Sequence, residues 1–402
     1  MNILFLTLVE INSINERGIY QDLLRKFRDE GHRITIVTPI ERRKNISTHL
    51  QQEKNVSILQ VKTLNIQKTN IIEKGLGTLL IDYQYQKAIK KYLAKETYDL
   101  VLYTTPPITF TRAIEYIKKR DKAITYLLLK DIFPQNAVDI EMMKKGNFFY
   151  KIFRKKEKKL YQISDYIGCM SPANQAYILK HNPEIQEDKV EVNPNTITPI
   201  SFEYSDAEKE SIRNKYGMPL DKKIFVYGGN LGKPQGIDFL LETISATKRE
   251  DVFFLIVGNG TEYGKIKTWF QQHQPTHAKL IQKLPKDDFD KLLTSCDVGL
   301  IFLDKRFTIP NFPSRLLSYL EMKMPVLVAS DSNTDIGTIV EQQAKCGYKV
   351  LAGNQKEMQE KINLILKQDM LQLGENGYQF LLSEYTVDVS YDLILSKFKN
   401  KV

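Results

Sequence analysis

Apolar residues recur along this chain in short continuous runs, separated by stretches with helical spacing. Asn2–Val9 is apolar almost throughout. Gly18–Glu30 places Ile19, Leu23, Leu24 and Phe27 on one helical face and stops at Gly31, after which His32–Thr38 returns to a β-branched run closed by Pro39. Tyr98–Tyr103 and Ala123–Leu129 predict buried strands with a helix over Phe110–Lys119 between them. Tyr166–Met170 and Val190–Val192 predict two further short strands. Strands this apolar, separated by helices, predict a parallel sheet covered on both faces.

Asn193–Ser205 breaks the rhythm with Pro194, Pro199 and polar residues, and the alternation then restarts. Strands are predicted at Lys223–Tyr227, Val252–Val257, Ala278–Gln282, Val298–Leu303, Val326–Ala329 and Tyr348–Leu351. Helices are predicted at Gly236–Ser245, Tyr263–Gln271, Asp287–Ser295, Pro313–Met322 and Ile336–Ala344. This is a second doubly wound unit. The expected organisation is residues 1–195 as one Rossmann-like domain, 196–380 as a second, and 381–402 as a C-terminal helix packing back on the first. Ligands in such sheets bind beyond the carboxyl ends of the strands, and two facing units create a cleft.

Composition adds limits rather than a function. The chain has 402 residues, 42% hydrophobic and 26% charged, enough for two or three buried cores. No apolar run approaches the roughly 20 residues that span a bilayer. The opening MNILFLTLVEINS lacks a basic leading region and a small-residue cleavage site, so it reads as a strand. Cys169, Cys296 and Cys346 lie far apart, which fits a reducing compartment. The expectation is a cytoplasmic protein, soluble or peripheral to the membrane.

The net charge is +10, and its distribution matters more than its sign. Lys144–Lys159 carries eight lysines and arginines against one glutamate, interleaved with Phe148, Phe149, Tyr150 and Phe153. A basic, aromatic, amphipathic segment suits an anionic membrane surface. It equally suits a solvated helix whose aromatics face the core.

Candidate chemistry centres on Phe225–Phe239, FVYGGNLGKPQGIDF, a strand, a glycine-rich turn and a helix. Gly228, Gly229 and Gly232 allow close backbone approach, the helix directs its amide dipole at the turn, and Lys233 adds a full charge, which together suit a phosphate. Glycines also serve an ordinary tight turn. Further on, Pro313 and Ser314 introduce a helix that carries Arg315 in its first turn. A cation there opposes the helix dipole, which suggests an external anion, and a guanidinium can donate two parallel hydrogen bonds to a diphosphate.

The segments FVYGGNLGKPQGIDFLLETI, FFLIVGNG, SCDVGLIFL and PSRLLSYLEMKMPVLVAS resemble, in order and spacing, family 4 glycosyltransferases of the GT-B fold. LFLTLVE and RGIYQDLLRKFRDEGHRITIVTP resemble that family's opening. NFPSRLLSYLE and SDSNTDIG are most similar to bacterial capsule and O-antigen enzymes that transfer N-acetyl-L-fucosamine. The resemblance implies an α/β, GT-B architecture, two Rossmann-like doubly wound parallel-sheet domains facing across a cleft, with the acceptor held by the first and the nucleotide sugar by the second. It implies a metal-independent, retaining hexosyltransferase that needs no cofactor beyond its UDP-sugar donor.

The chain departs from that pattern in places. Two family glutamates fall on Pro310 and Ser318, neither a carboxylate, so Glu321, one turn on from Ser318, is expected to take over the ribose contact. The family's arginine and lysine near the glycine turn fall on Asn230 and Gln235, which leaves Lys233 and Arg315 as the available cations. Leu284, Ser314 and Gly229 are expected to line the donor site. In the first half, Gly18 faces the donor phosphates by resemblance, and Arg17 beside it could meet acceptor or phosphate. Asp131, in KDIFPQ after a buried strand, is the first choice for a sugar-hydroxyl contact or acceptor base, and suits a loop carboxylate as well. Asp335 and Gly337, in NTDIG, begin a helix that by resemblance touches the transferred sugar.

Metal chemistry is not expected. Asp288-Phe289-Asp290 spells a DxD motif but opens a helix, where acidic residues complement the dipole. His273 and His277 are separated by Pro275, which breaks their helical geometry. The function expected is transfer of a sugar, N-acetyl-L-fucosamine by resemblance, from a UDP-sugar to a lipid-diphosphate-linked sugar in capsule or O-antigen repeat-unit synthesis. Lys233, Arg315 and helix amides would stabilise the leaving UDP, and Phe148, Phe149, Phe153 and Arg154 would meet the acceptor or the inner membrane leaflet. The alternative is a non-catalytic protein of the same fold that binds a nucleotide sugar or a partner. No nucleic-acid recognition motif is present, and no nucleic acid is expected as a partner.

Overall fold

The computed structural model describes residues 1–66 and 71–399. The chain divides into two compact units: Met1–Ile197 together with the chain from Val387 on, and Thr198–Thr386.

The first unit is an eight-stranded sheet built from β1 (Asn2–Leu6), β2 (Arg33–Glu41), β3 (His49–Glu53), β4 (Val56–Thr63), β5 (Leu100–Thr104), β6 (Ile124–Leu129), β7 (Tyr166–Cys169) and β8 (Val190–Val192), in the order β3-β4-β2-β1-β5-β6-β7-β8. Its central strands are buried along their length, as their apolar runs require. Pairing is parallel except at β3, which runs antiparallel to β4 as an edge strand. Its sequence, HLQQE, carries no apolar alternation and is largely exposed, so periodicity alone did not mark it. The strand order reverses between β1 and β5.

The core of this unit gathers Ile3, Phe5, Leu24, Phe27, Ile36 and Leu102 with Tyr391 and Ile394 from the last helix, Val387–Lys399. Tyr391 packs edge-on against Phe27 with centroids 4.8 Å apart, and its hydroxyl lies 3.1 Å from His32 Nε2. Ser390 Oγ donates to Asn193 Oδ1 at 2.8 Å, and Asp388 pairs with Lys26 at 2.8 Å. Burying two such apolar side chains contributes about 1.5–3 kcal/mol each, so the final helix is held mainly by its core face.

The second unit is a six-stranded, wholly parallel sheet: β9 (Lys223–Asn230), β10 (Val252–Asn259), β11 (Ala278–Gln282), β12 (Val298–Phe302), β13 (Val326–Ser330) and β14 (Gly347–Leu351), in the order β11-β10-β9-β12-β13-β14. The order reverses between β9 and β12, so the glycine turn leaves the sheet at its switch point, where doubly wound sheets bind ligands. Tyr319 pins this junction. Its buried hydroxyl accepts the Gly228 amide proton and lies 3.2 Å from the carbonyls of both Val226 and Leu300. One expected helix is shorter than its periodicity suggests. Ile336–Thr338 is helical, and the chain then widens into a π turn over Ile339–Gln343.

Candidate functional site

β9 delivers Tyr227, Gly228 and Gly229 in succession to the switch point of the second unit. Gly229 has φ +126°, a conformation that side-chain-bearing residues rarely adopt, and a Cβ there would sit 3.7 Å from the Arg315 guanidinium. Gly236, at φ +52°, closes the 3₁₀ turn Lys233–Gln235 against the Leu303 carbonyl, which would lie 2.7 Å from a Cβ. The Gly228 amide donates to the buried Tyr319 hydroxyl at 3.2 Å. The Phe289 ring fills the space beside it.

Arg315 is the first residue of the helix Arg315–Glu321, and Ser314 precedes it without a side-chain cap. Its guanidinium carbon lies 4.3 Å from the centroid of the buried Tyr227 ring, and Nη2 donates to Gln235 Oε1. Gln235 Oε1 also accepts from the Tyr227 hydroxyl at 3.2 Å. Arg315 Nη1 is shielded from solvent and has no hydrogen-bond partner among the described residues. Arg315 makes no ion pair with any described carboxylate. A positive group fixed at the carboxyl ends of parallel strands, without an ion pair to any described carboxylate, is suited to an external anion.

The other predicted donor residues fall around this point in different ways. Lys233 is exposed on the 3₁₀ turn, and Asn230, also exposed, ends β9 with its carbonyl 3.0 Å from the Tyr227 hydroxyl. Ser318 is one turn from Arg315 on the same helical face and stays partly exposed. Glu321 is buried, and its Oε1 accepts the Ile200 amide proton at 2.9 Å. Leu284 is partly exposed in the loop before the helix Lys286–Leu293, whose Phe289 abuts the glycine turn.

Asp335 and Gly337 begin the short helix after β13. Asp335 does not cap it with its side chain, and Gly337 is packed where a Cβ would meet Lys349. This turn is tied to the segment before Arg315: Thr334 Oγ1 donates to the Asn311 carbonyl at 2.8 Å and Asn333 Nδ2 to the Phe307 carbonyl at 2.7 Å. Asp331, unmarked by the sequence, organises it by accepting the amides of Asn333 and Thr334 at 2.7 and 3.1 Å. Burial raises its carboxyl pKa.

In the first unit, Lys130 and Asp131 directly follow β6, one strand beyond the reversal between β1 and β5. Both oxygens of Asp131 accept from Asn136 Nδ2, at 2.7 and 2.8 Å, yet desolvation pushes its pKa up to about 6. The Thr105 hydroxyl organises this corner, lying 3.0 and 3.2 Å from the Lys130 and Asp131 amides and 3.1 Å from the Asp131 carbonyl. Lys130 Nζ donates to the Asn193 carbonyl at 3.2 Å, and burial pulls its pKa down to about 7. Gly18 precedes the helix Ile19–Asp29 in an extended conformation and donates its amide to Asp22 Oδ1 at 3.2 Å; Arg17 beside it is partly exposed.

The basic aromatic segment forms the helix Phe148–Ile163, capped by Asn147 Oδ1 on the Tyr150 amide at 2.7 Å. Its aromatic side chains divide between solvent and core. Phe148 and Phe149 are 72% and 61% exposed, whereas Phe153 packs edge-on against Phe133 with centroids 5.1 Å apart. Arg154 is turned inward too, donating to Glu157 at 2.6 Å, to the His181 carbonyl at 2.8 Å and to Asn182 at 2.7 Å. Glu157 is buried and also receives the Tyr161 hydroxyl at 2.8 Å.

In the DxD sequence, Asp290 is buried and paired with Lys286. His273 Nδ1 bonds the Trp269 carbonyl at 3.0 Å and His277 Nε2 the Ile244 carbonyl at 2.9 Å, so the two rings serve separate structural contacts. No described helix is long and apolar enough to cross a membrane.

Residues 208–380, nearly all of the second unit, match the family "Glycosyl transferases group 1". The "Probable glycosyltransferase WbjE" of Pseudomonas aeruginosa is 22% identical over 388 residues, covering 94% of this chain and 92% of that protein. WcaI of Escherichia coli, a glycosyl transferase whose name places it in colanic acid biosynthesis, is 26% identical over 149 residues, 37% of each chain. Among solved structures, sucrose-phosphate synthase from Thermosynechococcus elongatus superposes with a TM-score of 0.76 at 14% identity, over 100% of this chain and 99% of that one. Anabaena HepE in complex with UDP-glucose superposes with a TM-score of 0.69 at 13% identity, over 100% of both chains. The fold is GT-B.

Proposed function

We propose that this protein is a glycosyltransferase that moves a sugar from a UDP-sugar to a lipid-diphosphate-linked sugar during synthesis of a cell-surface polysaccharide repeat unit. The observation that carries this reading is Arg315, a guanidinium without a counter-charge beside Gly229 at the switch point of the second unit. The family match over that unit, and a UDP-glucose complex among proteins of the same fold, support a nucleotide sugar as the anion supplied. The name of WbjE supports glycosyl transfer, and that of WcaI supports glycosyl transfer in the biosynthesis of a polymer such as colanic acid.

In this reading Arg315 and Lys233 stabilise the charge that gathers on the leaving UDP, a task that metal-dependent enzymes give to a divalent cation. Asp131, held by Asn136 and raised toward neutrality, contacts the acceptor hydroxyl and accepts its proton. N-acetyl-L-fucosamine is the donor sugar suggested by NFPSRLLSYLE and SDSNTDIG, with retention of anomeric configuration. Phe148 and Phe149 rest on the inner membrane leaflet, with the lysines around them meeting anionic head groups.

Ser318 and Pro310 stand where the resembling family has carboxylates, which keeps a binding protein without turnover as the second reading. A panel of UDP- and GDP-sugars, scored by nucleotide release against a short synthetic lipid-diphosphate sugar, separates them. Release from a UDP-sugar that is abolished in Arg315→Ala is the expected result. Turnover with GDP-sugars alone would overturn the uridine assignment, and tight UDP binding without turnover would favour the binding protein.

A further inference from the structure

Arg315 is held by two neighbours that the reading above does not use. The Tyr227 ring lies under the guanidinium, 4.3 Å from its central carbon. Gln235, brought back by the 3₁₀ turn Lys233–Gln235, accepts from Arg315 Nη2 and from the Tyr227 hydroxyl with one carbonyl oxygen. These contacts fix the plane and the rotation of the guanidinium. Neither brings a negative charge, and Arg315 Nη1 is left without a partner.

A carboxylate at position 235 would reach the same two donors with the same geometry and would bind a guanidinium more strongly than an amide does. It would also cancel the charge. A neutral acceptor at this place therefore holds the arginine still while leaving its charge for a ligand, the arrangement that electrostatic preorganisation requires. The carbonyl of Gln235 is already engaged by two donors, so its orientation is set by the site itself.

We infer that Gln235 and Tyr227 are positioning residues for diphosphate recognition, holding Arg315 rigid and uncompensated so that the diphosphate of a nucleotide sugar becomes its counter-ion. The inference rests on the nucleotide-sugar reading only for the identity of the ligand; the anion site itself does not depend on the base.

The test uses the full chain and three probes, UDP, uridine and inorganic pyrophosphate, titrated by calorimetry against the wild type, Gln235→Glu and Tyr227→Phe. Gln235→Glu keeps the shape and both hydrogen bonds but neutralises Arg315 and sets a second negative charge near the diphosphate. UDP and pyrophosphate affinities are expected to fall about 10-fold or more, with uridine affinity unchanged and the thermal midpoint not lowered. Tyr227→Phe keeps the ring and loses the hydroxyl that lies 3.0 Å from the Asn230 carbonyl and 3.2 Å from Gln235 Oε1, so its UDP affinity is expected to fall less than about 5-fold. Equal UDP affinity in the wild type and Gln235→Glu would overturn the inference, as would a parallel loss of uridine and UDP binding, the mark of a merely structural role. Pyrophosphate binding that is lost in Gln235→Glu, together with no binding of UDP by the wild type, would sustain the anion site and defeat the nucleotide reading.

Discussion

Asp131 offers a measurement in which stability and function move in opposite directions. Its carboxyl titrates at about 6 against an ordinary 3.8, with desolvation as the leading cause and the Asn136 and Ile132 hydrogen bonds opposing it. A shift of about two units is worth about 3 kcal/mol between the protonated and ionised forms. The folded chain holds this proton more tightly than the unfolded chain does. On account of Asp131, stability therefore falls as pH rises from about 4 to about 6 and is constant above that range. Asp131→Asn removes the charge at constant shape. It keeps an acceptor for one of the two Asn136 contacts and loses the other, at about 1 kcal/mol. Denaturant titrations from pH 4 to pH 8 should find the variant more stable than the wild type by about 1–2 kcal/mol at pH 8. The advantage should shrink through pH 6 and be gone near pH 4. Turnover should fall by about 100-fold or more if Asp131 accepts the acceptor's proton. A variant less stable than the wild type at pH 8, or a difference that does not depend on pH, would refute the reasoning.

Three further outcomes are expected. Arg315→Ala should lower UDP affinity about 10- to 100-fold, since a hydrogen bond to a charged group contributes about 1.5–3 kcal/mol, and calorimetry with UDP checks it. Changing Phe148 and Phe149 together to Asp should abolish flotation with vesicles containing anionic lipid while leaving UDP binding intact, because both rings are exposed and neither supports the core. Arg154→Ala strips the buried Glu157 of its charge partner and should destabilise the chain by about 3 kcal/mol in denaturant titration; a change under about 0.5 kcal/mol would mean that Tyr161 alone satisfies Glu157.

Much of the sheet architecture was legible because buried parallel strands are apolar along their whole length, so β1, β5, β6, β12 and β13 announce themselves without regard to partner. β3 was not legible, since an exposed edge strand is free to be polar. The anion site was half legible. Gly229 and Arg315 could be singled out, one by its place in a glycine turn and the other by its charge at a helix start. Nothing in the spacing of Tyr227, Gln235 and Arg315 says that they meet, because the contact depends on how far the 3₁₀ turn brings Gln235 back. The basic helix was legible in composition but not in direction. Phe149 and Phe153 lie one helical turn apart, yet one is 61% exposed and the other is packed on Phe133, a contact that tertiary placement alone decides.

Arg315 shows why a broken local rule can be informative. A cation in the first turn opposes the helix dipole and costs about 0.3–1 kcal/mol, and no capping side chain at Ser314 offsets it. The surroundings could have removed this cost with a carboxylate; they supply an aromatic face and an amide oxygen, which anchor the guanidinium without neutralising it. Such a conflict between levels persists where function uses it. The same holds for Asp131, where a largely buried carboxylate is kept expensive by desolvation and fixed by Asn136. Both groups sit beyond the carboxyl ends of parallel strands, one in each unit, Arg315 without an ion pair to any described carboxylate and Asp131 with its carboxyl pKa raised by burial. Under the proposed function each is met by one of the two substrates, at the end of the sheet where such folds bind them.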